Sequence, residues 1–344
     1  MKVAFASNML NPGGGSIFVP FVRDQVSGLR RLGVGVIEIP IFSRSPLGLR
    51  RSNRSIRCAL DKGGCDLVHV HYGSLGGLWG VLSCGHNPSV ITFHGSDLLG
   101  FGRLQWGRPL KSLHLAAGVG LSHLAAVSAT EIVAVSERVR GGLARGKDRA
   151  RAHIIPCGVD FEIFKPGNKR VARDALGLSY DKNLVLFVDP QRPDKRFQLA
   201  VEAVGIAKAG IPNLAILPVS GVEHTLIPTY LRACDVLLLT SLSEGSPVVT
   251  KEALACNLPV VSVDVGDMRD QLRDVKGCDV TCAAPDELAK GLVAALSVGD
   301  ACNGRELRGY YSNREVCGRL LGIYELVLER CHQGAGPRIH MGSC

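Results

Sequence analysis

Two carboxylates, Glu244 and Glu252, stand with seven residues between them in the stretch Ser243-Glu244-Gly245-Ser246-Pro247-Val248-Val249-Thr250-Lys251-Glu252-Ala253. The stretch follows an apolar run, Val236-Leu237-Leu238-Leu239-Thr240, that reads as a buried strand. Gly245 allows a tight turn, and Pro247 suits the first turn of a helix, where its missing N–H costs nothing. The free backbone N–H groups of such a helix point back past the strand end, where they can bind an anionic or hydroxyl-rich ligand. Glu252 then lies more than one turn into the helix, on the face toward the same ligand. Carboxylates only accept hydrogen bonds and sugar hydroxyls donate them, so two carboxylates at two depths suit a polyhydroxyl ligand. Local physics also allows a plainer reading, with Glu244 as a helix N-terminal charge and Glu252 as a surface residue.

A second group, Asp189-Pro190-Gln191-Arg192-Pro193-Asp194-Lys195-Arg196, follows the strand-like run Leu184–Val188. Two or three cations at a strand end suit a nucleotide diphosphate, Arg by forking two phosphate oxygens and Lys as a point charge. The alternative is a solvated basic turn. A third group, Pro12-Gly13-Gly14-Gly15-Ser16, lies between the first strand and the first helix. Its glycines let backbone N–H groups approach a phosphate. It is not the dinucleotide fingerprint, because Phe18 stands where the third glycine belongs and Glu38 sits inside its strand rather than at its end. A fourth, Thr92-Phe93-His94-Gly95-Ser96-Asp97, puts a histidine at a strand end with a carboxylate nearby. His69 and His71 alternate on an earlier strand and share a face, either toward a ligand or in core packing. Ser136 ends a further strand run, Val133-Ala134-Val135. No Asp-x-Asp ends a strand in the first half, and His and Cys do not cluster, so no metal site is expected.

The elements that must position these residues alternate. Strand runs at Val3–Ala6, Gly33–Ile39, Leu67–His71, Val90–Phe93, Ile132–Val135 and Ala152–Pro156 are separated by amphipathic stretches, the first over Phe18–Leu32. A second series has strands at Leu184–Val188, Leu214–Pro218, Val236–Thr240 and Val260–Val263, with helices over Phe197–Ala209 and from Pro247 to Ala255. This alternation predicts an α/β fold of two doubly wound parallel sheets. Punctuation at Phe161–Asn168 places the domains at 1–163 and 164–332, with a flexible Gly-rich tail over 333–344 and a last helix free to pack back on the first domain. Two such sheets create a cleft facing the carboxyl ends of both sets of strands, where ligands bind in open α/β sheets.

Composition narrows the classes. With 344 residues, 46% hydrophobic and 21% charged, the chain is globular and long enough for two domains. Its 41 glycines follow no G-X-Y period, which excludes collagen. No apolar run is long enough for a membrane-spanning helix. The start, Met1-Lys2-Val3-Ala4-Phe5-Ala6-Ser7-Asn8, reads as a strand without the h-region of a signal peptide, so a cytoplasmic protein is expected. The 12 cysteines are scattered and read mostly as small buried hydrophobes. The net charge of +9 is uneven: residues 1–160 hold 19 Lys and Arg against 9 Asp and Glu, and the remainder is close to neutral. Arg44, Arg50, Arg51, Arg54 and Arg57 form a cluster that fits a solvated face, an anionic membrane surface or an acidic substrate. Nucleic acid is not expected, since no aromatic interleaving accompanies the charge.

The glutamate pair resembles the signature of retaining glycosyltransferases of family 4, which have the two-Rossmann-domain GT-B architecture. The flanks agree. Tyr230-Leu231-Arg232-Ala233-Cys234-Asp235-Val236 is similar to the family's "YLxAADV", and Ala255-Cys256-Asn257-Leu258-Pro259-Val260-Val261 to its "AxGxPVV". Ile154-Ile155-Pro156-Cys157-Gly158-Val159-Asp160 with Phe164-Lys165-Pro166 is similar to "VIPNGVDxxxFxP". His94 to Asp97 is similar to "HGxD", and Asp66 to His71 to "DvvHaH". The chain resembles bacterial members that build capsule, teichuronic-acid-like or lipopolysaccharide chains.

The resemblance implies a nucleotide-sugar donor on the second domain and a glycan or lipid-linked acceptor on the basic first domain. No cofactor or metal is implied. Peripheral contact with an anionic membrane, at its inner face, fits members that use lipid-linked acceptors. Glu252 would hold the ribose, and Glu244 the sugar, helped by the backbone of Gly245, Ser246, Pro247 and Val248. Arg192 and Lys195 would meet the diphosphate, His94 the donor sugar, and Val222 the base. The loop of Gly14 and Gly15, together with Asp97 and Ser136, would complete the substrate contacts. In one respect the chain departs from the family: Asp189-Pro190 replaces the usual Gly-Arg pair, so Arg192 takes the missing arginine's place. Other readings are an epimerase or phosphorylase on the same scaffold and a non-catalytic sugar-nucleotide binder.

Overall fold

A computed structural model describes residues 1–10, 17–43, 45–100 and 109–334. The chain divides into two units, Met1–Ile155 together with the stretch from Val316, and Pro156–Glu315. The division falls upstream of the Phe161–Asn168 punctuation, and Phe164 belongs to the core of the second unit.

In the first unit the strands are β1 (Lys2–Ser7), β2 (Gly35–Pro40), β3 (Leu67–His71), β4 (Ser89–Phe93), β5 (Glu131–Ala134) and β6 (Ala152–Ile154). They form one sheet in the order β2-β1-β3-β4-β5-β6, every pairing parallel. The crossovers include α1 (Pro20–Arg31), α2 (Pro46–Asp61) and α3 (Ser74–Leu82). Pro20 opens α1 at a position where no N–H is needed, and Gly33, at φ +83°, turns the chain into β2. The buried side of α1 carries Val22, Val26 and Leu29. These pack with Val3 and Phe5 of β1 and with Val316, Leu320, Tyr324 and Val327, a stripe at helical spacing on the helix Asn313–Gly334. Each large side chain so buried is worth about 1.5–3 kcal/mol. α3 packs its glycines inward: a Cβ on Gly77 would lie 2.3 Å from the Tyr72 carbonyl, so only glycine permits the approach.

The second unit has β7 (Asn183–Val188), β8 (Leu214–Val219), β9 (Val236–Leu239), β10 (Val260–Val263) and β11 (Asp279–Thr281), in the order β11-β10-β9-β7-β8 and again all parallel. Helices Phe197–Ala207, Val248–Ala255 and Pro285–Val298 lie among the crossovers. Pro247 caps the helix Val248–Ala255 rather than forming its first turn, one residue later than expected. At the amino ends of β7 and β9 the buried Arg173 guanidinium meets Asp235 Oδ2 at 2.8 Å and the carbonyls of Ala233, Ser179 and Tyr180. Asp235 in turn accepts from Leu184 N at 2.6 Å. This network lies at the strand ends opposite the loops that carry Lys195 and Glu244, and it ties the start of β7 to that of β9.

Seven of the described cysteines are buried and all are free thiols. Burial pushes Cys84, Cys256 and Cys317 up to about 12, which removes them as nucleophiles.

Candidate functional site

In the second unit the loops after β7 and β9 are stitched together. Arg196 donates from Nε to the Thr240 carbonyl at 2.6 Å and from Nη2 to that of Ser241 at 3.3 Å, and Leu242 N donates to the Asp194 carbonyl at 2.8 Å. The Thr240 hydroxyl returns a hydrogen bond to the Lys195 carbonyl at 2.6 Å. Arg196 is therefore structural, leaving Arg192 and Lys195 as the cations for an anion at the strand end. Lys195 Nζ lies 2.6 Å from Glu244 Oε1, with both side chains largely buried. Arg192 is half exposed and forked by Asp194 at 2.6 and 3.2 Å. Asp189, where relatives of the resembled family carry glycine, has φ +57°. Aspartate tolerates this left-handed conformation better than most side chains, so the turn survives the substitution.

The turn from Gly245 to Val248 rests on a polar cluster that the sequence reading missed. The Ser246 hydroxyl accepts from Lys251 Nζ at 2.6 Å and Gln271 Nε2 at 3.3 Å, and donates to Asp267 Oδ2 at 2.7 Å. Lys251 is fully buried, with Nζ 5.2 Å from the centre of the Tyr311 ring. The Ser246 side chain is thus committed to the turn, and only its backbone remains as a candidate ligand contact. Glu252, 4% exposed, meets His224 Nε2 with Oε1 at 2.7 Å. Val222, two residues before His224, is half-buried against the core.

In the first unit His94 Nε2 lies 3.0 Å from His71 Nδ1, and its ring sits 5.2 Å from that of Phe21. Asp97 is buried, and its carboxylate accepts the backbone N–H groups of Gly73 (2.9 Å), Gly95 (2.8 Å) and His94 (3.1 Å). Burial raises its pKa and these N–H groups lower it, burial prevailing. Asp97 therefore holds the turn that presents His94, its carboxylate committed to these backbone N–H groups. Ser136 is likewise buried, capping the helix Glu137–Gly141 through Val139 N, so the side chain has a structural duty. His69 is a core residue, bonded to the Tyr324 hydroxyl at 2.6 Å and the Thr92 hydroxyl at 2.7 Å. Gly14, Gly15 and Arg44 lie outside the described residues. Among the described residues no group of three or more His, Cys, Asp and Glu could hold a metal ion.

Burial, with help from His94, lowers His69 to about 3, and burial also lowers His71. Below the unfolded value of about 6.5 the unfolded chain takes up protons that the folded chain refuses. His69 alone then costs about 2 kcal/mol of stability between pH 7 and pH 5, and the loss continues toward pH 3. Denaturant unfolding across this range should show the slope, reduced in His69→Gln. Equal slopes in both proteins would contradict it.

Two family models match the chain in order: Glycosyltransferase Family 4 over residues 16–163 and Glycosyl transferases group 1 over residues 192–297. D-inositol 3-phosphate glycosyltransferase of Mycobacterium tuberculosis is 33% identical over 157 residues, 38% of this chain and 32% of the relative. The chain thus spans about a third of the length of that curated relative. Sucrose-phosphate synthase from Thermosynechococcus elongatus has a TM-score of 0.76 at 18% identity, covering 96% of this chain and 99% of that one. Anabaena HepE in complex with UDP has a TM-score of 0.68 at 16% identity, covering 94% and 100%. With one model over each unit and two parallel-sheet α/β units beneath them, the chain belongs to the family 4, group 1 glycosyltransferases of the GT-B architecture.

Proposed function

We propose that the chain is a retaining glycosyltransferase that moves a sugar from a nucleotide-sugar donor to a glycan or lipid-linked acceptor in cell-surface polysaccharide synthesis. The observation that carries this reading is the Lys195–Glu244 ion pair between the loops that follow β7 and β9, ahead of the helix Val248–Ala255 on which Glu252 lies buried. Lys195, Arg192 and the backbone N–H groups at that helix start meet the diphosphate, the group on which charge develops as the sugar leaves. Glu252 accepts from the ribose and Glu244 from the sugar. The leaving phosphate takes the acceptor proton on the same face, so the protein positions and stabilises charge without an enzyme nucleophile. This differs from glycosidases, where two carboxylates do the chemistry.

Thermal unfolding with a panel of nucleotide sugars tests the donor assignment. A donor at 100 times its dissociation constant adds about 2.7 kcal/mol. A panel without effect on unfolding would contradict the reading.

The lipid-linked acceptor brings α2 into the account. Arg50, Arg51, Arg54 and Arg57 are all exposed on it with Leu47, 77% exposed, while Ser52, Ile56 and Ala59 are buried. Each arginine near an anionic surface contributes on the order of 1 kcal/mol within a Debye length. Sedimentation should therefore show salt-sensitive binding to anionic vesicles that is lost when these four become Ser. Donor affinity should not change. Binding that ignores lipid charge or salt would leave α2 a solvated face. Among the described residues no helix is long and apolar enough to cross a membrane.

A further inference from the structure

We infer that His224 is a positioning residue for nucleotide recognition: its ring N–H fixes the Glu252 carboxylate in the orientation that accepts the ribose hydroxyls. The inference rests on the reading of Glu252 as the ribose acceptor. His224 opens the short turn His224–Leu226 that follows β8 and leads into the helix Ile227–Ala233. Gly221, at φ +67°, bends the chain just before it. From there the ring reaches the helix Val248–Ala255 and places Nε2 at 2.7 Å from Glu252 Oε1. A carboxylate has no hydrogen to give, so the hydrogen of this bond sits on His224 Nε2.

Two features make the contact a support rather than a passing neighbour. The His224 ring packs against Phe164 with centroids 5.4 Å apart, and Phe164 is itself 1% exposed in the core. The ring is therefore held from a rigid side. Glu252 has only 6% of its side chain exposed, so a donor on Oε1 fixes the carboxylate plane and leaves Oε2 to a ligand. A ribose offers two adjacent hydroxyls that a single oriented carboxylate can accept, whereas a carboxylate free to rotate loses that preorganisation. Val222, the expected base contact, lies two residues before this turn, so base and ribose recognition share one short segment.

Calorimetry on the full chain tests this. UDP, GDP, ADP and CDP are titrated first, and the tightest becomes the probe beside its 2′,3′-dideoxy analogue. The variants are His224→Phe, which keeps a ring against Phe164 but has no donor, and His224→Gln, which keeps a donor. His224→Phe should raise the dissociation constant of the ribonucleotide roughly tenfold and leave the dideoxy analogue unchanged. His224→Gln should recover most of the loss. Equal losses for both ligands, or no loss for either, would overturn the positioning role. Glu252→Ala separates the two layers. If it discriminates ribo from dideoxy ligand as well as the unaltered chain does, the ribose reading itself fails, whatever His224 does.

Discussion

Replacing Arg192 and Lys195 together by Ala should abolish turnover and weaken nucleoside diphosphate binding by roughly 2–5 kcal/mol, at about 1.5–3 kcal/mol per charged hydrogen bond. The geometry favours the lower part of that range. Lys195 has Glu244 at 2.6 Å and Arg192 has Asp194 at 2.6 Å, so binding a diphosphate exchanges partners rather than satisfying bare cations. It also ranks the two. Lys195 keeps 12% of its side chain exposed against 49% for Arg192, and screening by water weakens the more exposed charge. Lys195→Ala alone should therefore cost more than Arg192→Ala alone. Calorimetry with nucleoside diphosphate decides both points, and an unchanged affinity in the double variant would remove the phosphate assignment.

The two glutamates should separate in the same experiment. Glu252→Ala should weaken nucleoside diphosphate binding at least tenfold, about 1.4 kcal/mol, because its partner is present without any sugar attached. Glu244→Ala should leave that binding unchanged or slightly tighter, because it releases Lys195 from the competing carboxylate. Its penalty should appear in turnover, where the sugar contact is lost. Equal losses of nucleotide affinity for both variants would refute the division of roles.

The sheet strands of both units were largely legible. Leu67–His71 and Val260–Val263 are apolar runs with the length and β-branched content of buried parallel strands, and they occupy their expected ranges. β11 was not read, because Asp279-Val280-Thr281 is a short edge strand with no apolar run to mark it. α3 hid for a different reason: Ser-Leu-Gly-Gly-Leu-Trp-Gly-Val-Leu has glycines where a helical pattern should show side chains, and only packing against Tyr72 and Val70 explains them.

The site divides in the same way. Its chemistry-bearing residues announce themselves at strand ends, but their partners come from distant segments. Nothing in the spacing of His224 and Glu252, or of Ser246, Lys251, Asp267 and Gln271, foretells that loops after different strands converge. Depth was equally hidden. His69 and His71 share a face of β3, yet His69 is enclosed by Tyr324 and Thr92 while His71, at the strand end, meets His94. Asp97 and Ser136 occupy motif positions, and only the backbone N–H groups around them show that they hold turns.

Retaining transfer from a nucleotide sugar is the central claim, and the anomeric proton signal of the product tests it most directly. The full chain is incubated with the nucleotide sugar that protects it from unfolding and with a set of glycan and lipid-linked acceptors, and the reaction is followed by NMR. The account predicts release of nucleoside diphosphate together with a new glycosidic bond of the same anomeric configuration as the donor. A product of inverted configuration, or turnover of the nucleotide sugar with no acceptor consumed, would contradict it.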